Sequence, residues 1–301
     1  MISTENKKTT LRKAKAQAIL KATPELVAIL KSRQGPKGDA LEVARTGAVM
    51  ATKKTWEFIP YCHPMPLDQV KINYELNESS VVITSEVTAI WKTGVEMEAL
   101  VAAQMAATIL FDMLKPIDTS MEIGEIKVLE KRGGKSSFKD EIPKDFKVAV
   151  IVTSDSTSQG TRKDKSGQII KEKLETLGIT NCEYVILPDE KEKIQETLLQ
   201  FHKQDFHLVL TTGGTGLGPR DVTVEATQNV IERPVPGVME AMRGFGQQRT
   251  PYAMLSRGLA GLKGQTLIIN FPGSSNGARE SMDAIFPAIL HSYRMMAGGG
   301  H

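Results

Sequence analysis

The side chains best suited to chemistry fall into two groups. In the first, IPYCHPMP (residues 59–66) sets Cys62 and His63 among Pro60, Pro64 and Pro66. Proline fixes its own backbone torsion, so the thiol and imidazole are held with little freedom. A neighbouring Cys and His also suit zinc, yet no second ligand pair stands at structural-zinc spacing, which makes metal the weaker use. Asp112 and Lys115, three positions apart, share one face of a helix, where each can keep the other charged for proton transfer. An exposed ion pair of small weight is the alternative. Lys37 sits in a break, QGPKGDA, where a lysine is either a cationic ligand or merely solvated. Lys131 opens the cluster Lys131, Arg132, Gly133, Gly134 and Lys135, which suits a phosphate-rich ligand or a flexible basic tail.

The second group surrounds LVLTTGGTGLGPRDVT, residues 208–223. An apolar run that breaks into Gly213, Gly214, Gly216 and Gly218 reads as a buried strand feeding a tight loop, where backbone amides can approach a ligand closely. Arg220 and Asp221 follow, and phosphate and metal binding use that pairing of a cationic fork with a carboxylate. An ordinary surface turn is the alternative. The loop is not a Walker A sequence, because no Gly-Lys-Ser/Thr triplet follows, and its glycines do not have dinucleotide-fingerprint spacing.

Elements must position these groups. Residues 10–22 (TLRKAKAQAILKA) and 23–30 read as helices, the second with Thr23 as its cap and Pro24 in its first turn. A third is expected from the glycine break to about Lys54. Residues 69–76 and 80–88 alternate in polarity around Asn77, Glu78 and Ser79, the pattern of a hairpin. A long helix is expected from about Val95 to Lys115, stopped by Pro116, with an alanine face (Ala99, Ala102, Ala103, Ala106) that can pack close to a sheet. Glu96 and Glu98 lie at one end and Asp112 and Lys115 at the other. Fourteen residues of straight helix place Glu98 about 21 Å from Asp112. Either the helix begins after Glu98, or a site using both is completed by a second subunit. A strand, EIGEIKVLE, precedes Lys131.

Residues 136–146 are charged and broken by Pro143, which is linker composition. Beyond Phe146 the strands KVAVIVTS, CEYVILP and FHLVLTT alternate with the helices KSGQIIKEKLETLG and EKEKIQETLLQFHK. TLIINFP (266–272) is a fourth buried strand, leading to Gly273, Ser274, Ser275 and a helix from about Ala278. Such alternation predicts a doubly wound parallel sheet with helices on both faces. The strand ends deliver Ser154 and Asp155, Pro188 and Asp189, the glycine loop with Asp221, and Ser274 with Ser275. Ligands bind at those carboxyl ends, so four loops converge on one crevice. Asp189 and Asp221 would flank it and hold Mg²⁺, with nucleotide phosphates completing the shell.

Composition bounds the answer. At 301 residues the chain has room for two domains, and 41% hydrophobic with 24% charged residues is an ordinary globular balance. A net charge of +3 argues against wholesale nucleic-acid binding. Cys62 and Cys182 alone cannot build a disulfide framework and suggest a reducing compartment. With no apolar opening stretch and no run near the length of a membrane span, a cytoplasmic protein is expected.

KGDALEVAR, IPYCHPMPL, KTGVEMEAL, FDMLK and LEKRGGKS, in this order and spacing, closely resemble the MoaC family, cyclic pyranopterin monophosphate synthase. The resemblance spans residues 10–138 and implies a ferredoxin-like α+β domain over 1–138. It also implies conversion of a cyclic dihydroguanosine triphosphate to cyclic pyranopterin monophosphate with loss of pyrophosphate, and no tightly bound cofactor. Lys37, His63, Asp112, Lys115 and Lys131 fall on catalytic positions; Tyr61, Cys62, His63, Met97 and Glu98 fall on substrate-contacting ones. Tyr61 stands where leucine is commoner. TTGGTGLGPRDVTVEAT, PDE and INFPGSS resemble the molybdopterin-binding MoaB/MogA family and the related domain of gephyrin over residues 146–297. That implies a molybdopterin-binding domain over 147–301, behind a linker at 139–146, that adenylylates molybdopterin with Mg²⁺ and ATP. Asp189 and Asp221 fall on catalytic, metal-side positions, and Gly213, Gly214, Thr215, Ser274 and Ser275 against pterin or nucleotide. A carrier or oligomer-building second half is the alternative. Both families imply pterin and nucleotide substrates, a homo-oligomer (trimer or hexamer) and other molybdenum cofactor enzymes as partners; the charge and the lack of an apolar span leave nucleic acid and membrane off that expectation.

Overall fold

The structure is a computed structural model that describes residues 1–138, 140, 142–143 and 145–299. Of the segment read as linker, Lys139, Glu141 and Lys144 lie outside the described residues, as do Gly300 and His301 at the end of the second domain. The chain divides into two compact units, Met1–Phe138 and Lys139–His301.

The first unit runs β1 (Thr10–Lys21), α1 (Pro24–Ser32), α2 (Ala40–Thr52), α3 (Thr55–Phe58), β2 (Gln69–Leu76), β3 (Ser80–Trp91), α4 (Glu96–Leu114) and β4 (Glu122–Arg132). Its strands pair antiparallel in the order β2-β3-β1-β4, the ferredoxin-like arrangement. Residues 10–21 are therefore a strand, not the helix their alanines and lysines suggest. Alanine and lysine favour helix in isolation. Here Ala14, Ala16, Ala18 and Leu20 are buried at every second position while the residues between them are more exposed. Period-two burial in a central strand outweighs propensity. β4 also continues through Lys131 and Arg132, so these cations belong to a strand and not to a loose tail.

α4 begins at Glu96 and contains Glu98 in its first turn, which removes the option that the helix starts later. It is the one helix among the described residues long and apolar enough to cross a membrane. Ala99, Ala102, Ala103, Ala106 and Leu110 are instead buried in the core beneath β1 and β3. Alanines at this spacing let the helix axis lie close to the sheet, so α4 is a rigid core element with both ends accessible.

The second unit runs β5 (Val148–Thr153), α5 (Asp155–Ser158), α6 (Ser166–Thr176), β6 (Cys182–Leu187), α7 (Lys191–Lys203), β7 (Leu208–Thr212), α8 (Thr223–Gln228), β8 (Arg233–Pro234), α9 (Pro236–Gln247), β9 (Ala260–Lys263), β10 (Thr266–Phe271), α10 (Ser275–Ile285) and α11 (His291–Met296). The sheet order is β6-β5-β7-β10-β9-β8. The first four are parallel, as alternation predicts, but β9 and β8 add an antiparallel edge. Both are short, and β9 runs into β10 with no helix between, so the sequence period does not announce them. The doubly wound layering is visible in β5 itself. Val148 and Val150 pack with Ile170, Met239 and Met282 of α6, α9 and α10, whereas Ala149 and Ile151 pack with Ile194, Leu198 and Ala226 of α7 and α8. Asp140 accepts a contact from His291 at 3.1 Å, and Ile142 and Phe146 pack into the core of this unit. α10 starts at Ser275, three residues earlier than expected, because Ser274 caps it by accepting the Gly277 N–H.

Candidate functional site

In the first unit the expected residues gather at opposite ends of α4. At its C-terminal end, the turn closed by Gly38 N–H donating to Gly35 O presents Lys37. Its Nζ donates to the Asp112 backbone oxygen at 2.8 Å and to Asp112 Oδ2 at 2.9 Å. Lys115 Nζ meets the other carboxylate oxygen at 2.8 Å. Those two contacts, the Lys115 bond first, hold the Asp112 carboxyl down at about 2. Asp112 is therefore a permanent anion that aligns two ammonium groups, and it does not itself carry a proton near neutral pH.

At the N-terminal end stand Glu98, Cys62 and Lys131. Glu98 is only 4% exposed, and burial pushes its carboxyl up, with the Glu96 charge adding to the rise. Burial and the nearby Glu98 charge likewise raise the Cys62 thiol. His63 follows Cys62 on the same proline-rigid loop; Tyr61 and Met97 are exposed. Lys131 Nζ lies 3.5 Å from Glu96 Oε1. The sequence reading missed Arg12, a buried guanidinium that donates to the Trp91 and Lys92 carbonyls and feels the Glu96 charge. An arginine on the inward face of a strand is the signal for it, and it disappears when β1 is read as a helix.

In the second unit the loops at the carboxyl ends of β5, β6, β7 and β10 meet. Asp155 N–H donates to Asp189 Oδ2 at 3.0 Å, and Asp189 N–H donates back to Asp155 Oδ1 at 3.0 Å. Arg220 closes on Asp155 with both arms, Nε to Oδ2 at 3.0 Å and Nη2 to Oδ1 at 2.9 Å. That fork, expected to serve a ligand beside Asp221, is thus taken by a carboxylate from a different loop. It also holds the Asp155 carboxyl below its usual range. Gly213 has φ +106°, and a Cβ there would lie 2.1 Å from the Thr153 carbonyl oxygen, so only glycine lets the loop pass β5. Asp221 Oδ2 accepts the Gly218 N–H at 2.8 Å.

A second arginine, unforeseen from sequence, braces this loop. Arg257 donates to Gly216 O at 2.6 Å and Asp221 O at 2.7 Å and pairs with Glu225. Its partners lie more than thirty positions away, so no local pattern reveals it. Thr215 is buried, and its carbonyl accepts the Arg257 N–H at 3.0 Å. The two serines part company. Ser275 lines a cavity of about 230 Å³ with Gly213, Gly273, Arg162 and Lys165, whereas Ser274 lines another of about 380 Å³ with Arg243, Asn276 and Glu280.

The MoaC family model matches residues 1–134, and the model described as "Probable molybdopterin binding domain" matches residues 149–291. The "Molybdenum cofactor biosynthesis bifunctional protein" of Chlorobaculum tepidum is 38% identical over 301 residues, covering 100% of this chain and 96% of that relative. The chain belongs to this bifunctional family. The protein of the same description from Synechococcus elongatus is 34% identical over 314 residues, covering 100% of this chain and 98% of its own length. The "Cyclic pyranopterin monophosphate synthase" of Aquifex aeolicus is 38% identical over 174 residues, 58% of this chain and 65% of that one. The family places the chain in molybdenum cofactor biosynthesis, with a MoaC-type synthase half and a molybdopterin-related half of MoaB/Mog type.

The bifunctional family's second half raises the question of a cation. Among the described residues no group of three or more His, Cys, Asp or Glu side chains could hold a metal by itself. Asp189 Oδ1, however, is buried with no hydrogen-bond partner, and it lies 3.3 Å from where a Gly214 Cβ would stand. Burial pushes this carboxyl up, and the charges of Asp155 and Asp221 add to that. A buried carboxylate oxygen without a donor, next to a second carboxylate, fits a hard divalent cation whose remaining ligands come from phosphate and water.

Proposed function

We propose that unit 1, residues 1–138, converts (8S)-3′,8-cyclo-7,8-dihydroguanosine 5′-triphosphate to cyclic pyranopterin monophosphate and pyrophosphate. Residues 147–301 bind molybdopterin and adenylylate it with Mg²⁺ and ATP. The observation that carries the first assignment is the Lys37–Asp112–Lys115 cluster at one end of α4, with Glu98, Cys62 and His63 at the other. The cations would hold the triphosphate and move protons during ring rearrangement, and the buried Glu98 would read the amino edge of the guanine-type base. Since α4 keeps Glu98 about 21 Å from Asp112, one substrate reaches both only in an assembly, where Lys37, Asp112 and Lys115 of one copy face Glu98, His63 and Lys131 of another. A homo-oligomer is thus part of the reading, and a cytoplasmic location fits two free cysteines.

For the second unit the support is the orphaned Asp189 oxygen. An oxygen of the molybdopterin phosphate attacks the α-phosphorus of ATP and pyrophosphate leaves. Mg²⁺, when bound, supplies charge neutralisation on the phosphates. Asp189 and Asp221 would hold it, Gly213, Gly214 and Thr215 would line the phosphates, and Ser275 would contact the pterin side, while Ser274 lines the other cavity. Arg220, engaged with Asp155, supplies no free cation to a phosphate, and this favours a second reading in which the unit binds molybdopterin without reacting.

Two assays separate these outcomes. Purified protein is given the cyclic triphosphate in one tube and molybdopterin with Mg-ATP in the other. Pyrophosphate without the cyclic monophosphate sinks the first assignment; molybdopterin bound but not adenylylated selects the carrier reading. Mixing inactive Glu98→Ala and Asp112→Ala chains tests the shared site. Random subunit exchange should restore about a quarter of the sites, and no recovery counts against sharing.

A further inference from the structure

We infer that Arg220 and Asp155 form a positioning pair that presents a single oxygen of Asp189 to the cation. The inference rests on the Mg-ATP reading of this crevice. Asp155 stands at the first position of α5, after β5, Asp189 after β6, and Arg220 in the loop after β7, so the three residues tie three strand ends together. Every hydrogen bond among them has one consequence. Asp155 Oδ1 accepts from Asp189 N–H and Arg220 Nη2, and Oδ2 accepts from Arg220 Nε, so both of its oxygens are engaged. Asp189 Oδ2 accepts from Asp155 N–H. What remains is Asp189 Oδ1, buried and without a partner, on the Gly214 side.

With Oδ2 engaged, Oδ1 is the oxygen left for a ligand; it lies 3.3 Å from where a Gly214 Cβ would stand, and the Asp221 charge acts on the same carboxyl. The planar guanidinium suits the task because its two parallel donors fix orientation as well as charge, which a lysine ammonium does not. For stability the pair matters little: the Arg220 and Asp155 side chains are 62% and 37% exposed, and exposed ion pairs contribute little to folding. Its conspicuous geometry therefore calls for a different use, and orienting Asp189 is the one the contacts specify.

The test is calorimetric titration of the full-length protein with ATP, with and without magnesium chloride, alongside thermal melting. In the unaltered protein and not in Asp189→Asn, Mg²⁺ should tighten ATP binding. Arg220→Met and Asp155→Asn should each lose about tenfold of that Mg²⁺-dependent gain. The double variant should lose no more than either alone, since the residues act as one unit. Arg220→Lys, which keeps the charge without the fork, should recover only part of it. ATP binding without Mg²⁺ and the melting midpoint should stay near the unaltered values. An unchanged Mg²⁺-dependent gain in the variants overturns the inference. So does a loss in Arg220→Met that is equal with and without Mg²⁺ and absent from Asp155→Asn, because Arg220 would then touch phosphate directly. If the unaltered protein shows no Mg²⁺-dependent gain, or Asp189→Asn keeps it, the Mg-ATP reading itself falls and takes this inference with it.

Discussion

Asp112 and Glu98 show how two carboxylates on one helix are set to opposite conditions. Asp112, at about 2, is held below the ordinary carboxyl value by Lys115 and Lys37. The fold therefore favours its ionised form, and the stability this contributes is present above about pH 4 and lost as pH falls through the folded value. The side chain is 53% exposed, so the contribution is small. Asp112→Asn should lower cyclic pyranopterin monophosphate formation by on the order of 10²-fold, with a melting midpoint shifted by no more than about 2 °C. Glu98 is raised by burial, so the fold favours its protonated form and stability is lost as pH rises through its folded value. Glu98→Gln should melt like the unaltered protein near pH 4 and above it near pH 8, while losing activity; a lower midpoint at pH 8 would refute a burial penalty. These two residues, with Lys37, His63 and Lys115, could be singled out as candidates because their motifs are local, and the structure brings Lys37, Asp112 and Lys115 together. Arg12, Asp155 and Arg257 were not, because what marks them is a partner far along the chain.

Among the elements, the alternating second half could be read almost strand by strand, since buried parallel strands appear as continuous apolar runs bounded by polar loops. β1 could not, because its small alternating alanines satisfy a helix pattern as well as a strand pattern, and only the neighbours β3 and β4 decide. β8 and β9 were invisible, being two and four residues long. The glycine loop makes the sharpest prediction at this scale. Gly213→Ala combines a φ of +106° with a Cβ placed 2.1 Å from a backbone oxygen, and should destabilise the second unit by about 3 kcal/mol in denaturant melts. Arg257→Met, which removes the brace between Gly216 and Asp221, should weaken ATP binding about tenfold, with the β-sheet circular dichroism retained.

At the scale of the whole molecule, each unit holds its own hydrophobic core. Residues 1–138 and 139–301 expressed apart should each unfold in one cooperative transition, and a unit that melts without one would show that it needs the other. The two activities should also respond differently to abundance. On the two-copy reading, α4 acts as a spacer of about 21 Å that forbids a lone chain from assembling its first site. Product per chain from the synthase half should then fall on dilution, the total rate dropping more steeply than protein concentration, while ATP binding by the other half stays proportional to it. A newly made and still scarce chain would be mute in its first reaction, and the length of one helix would serve as the cell's head count for switching it on.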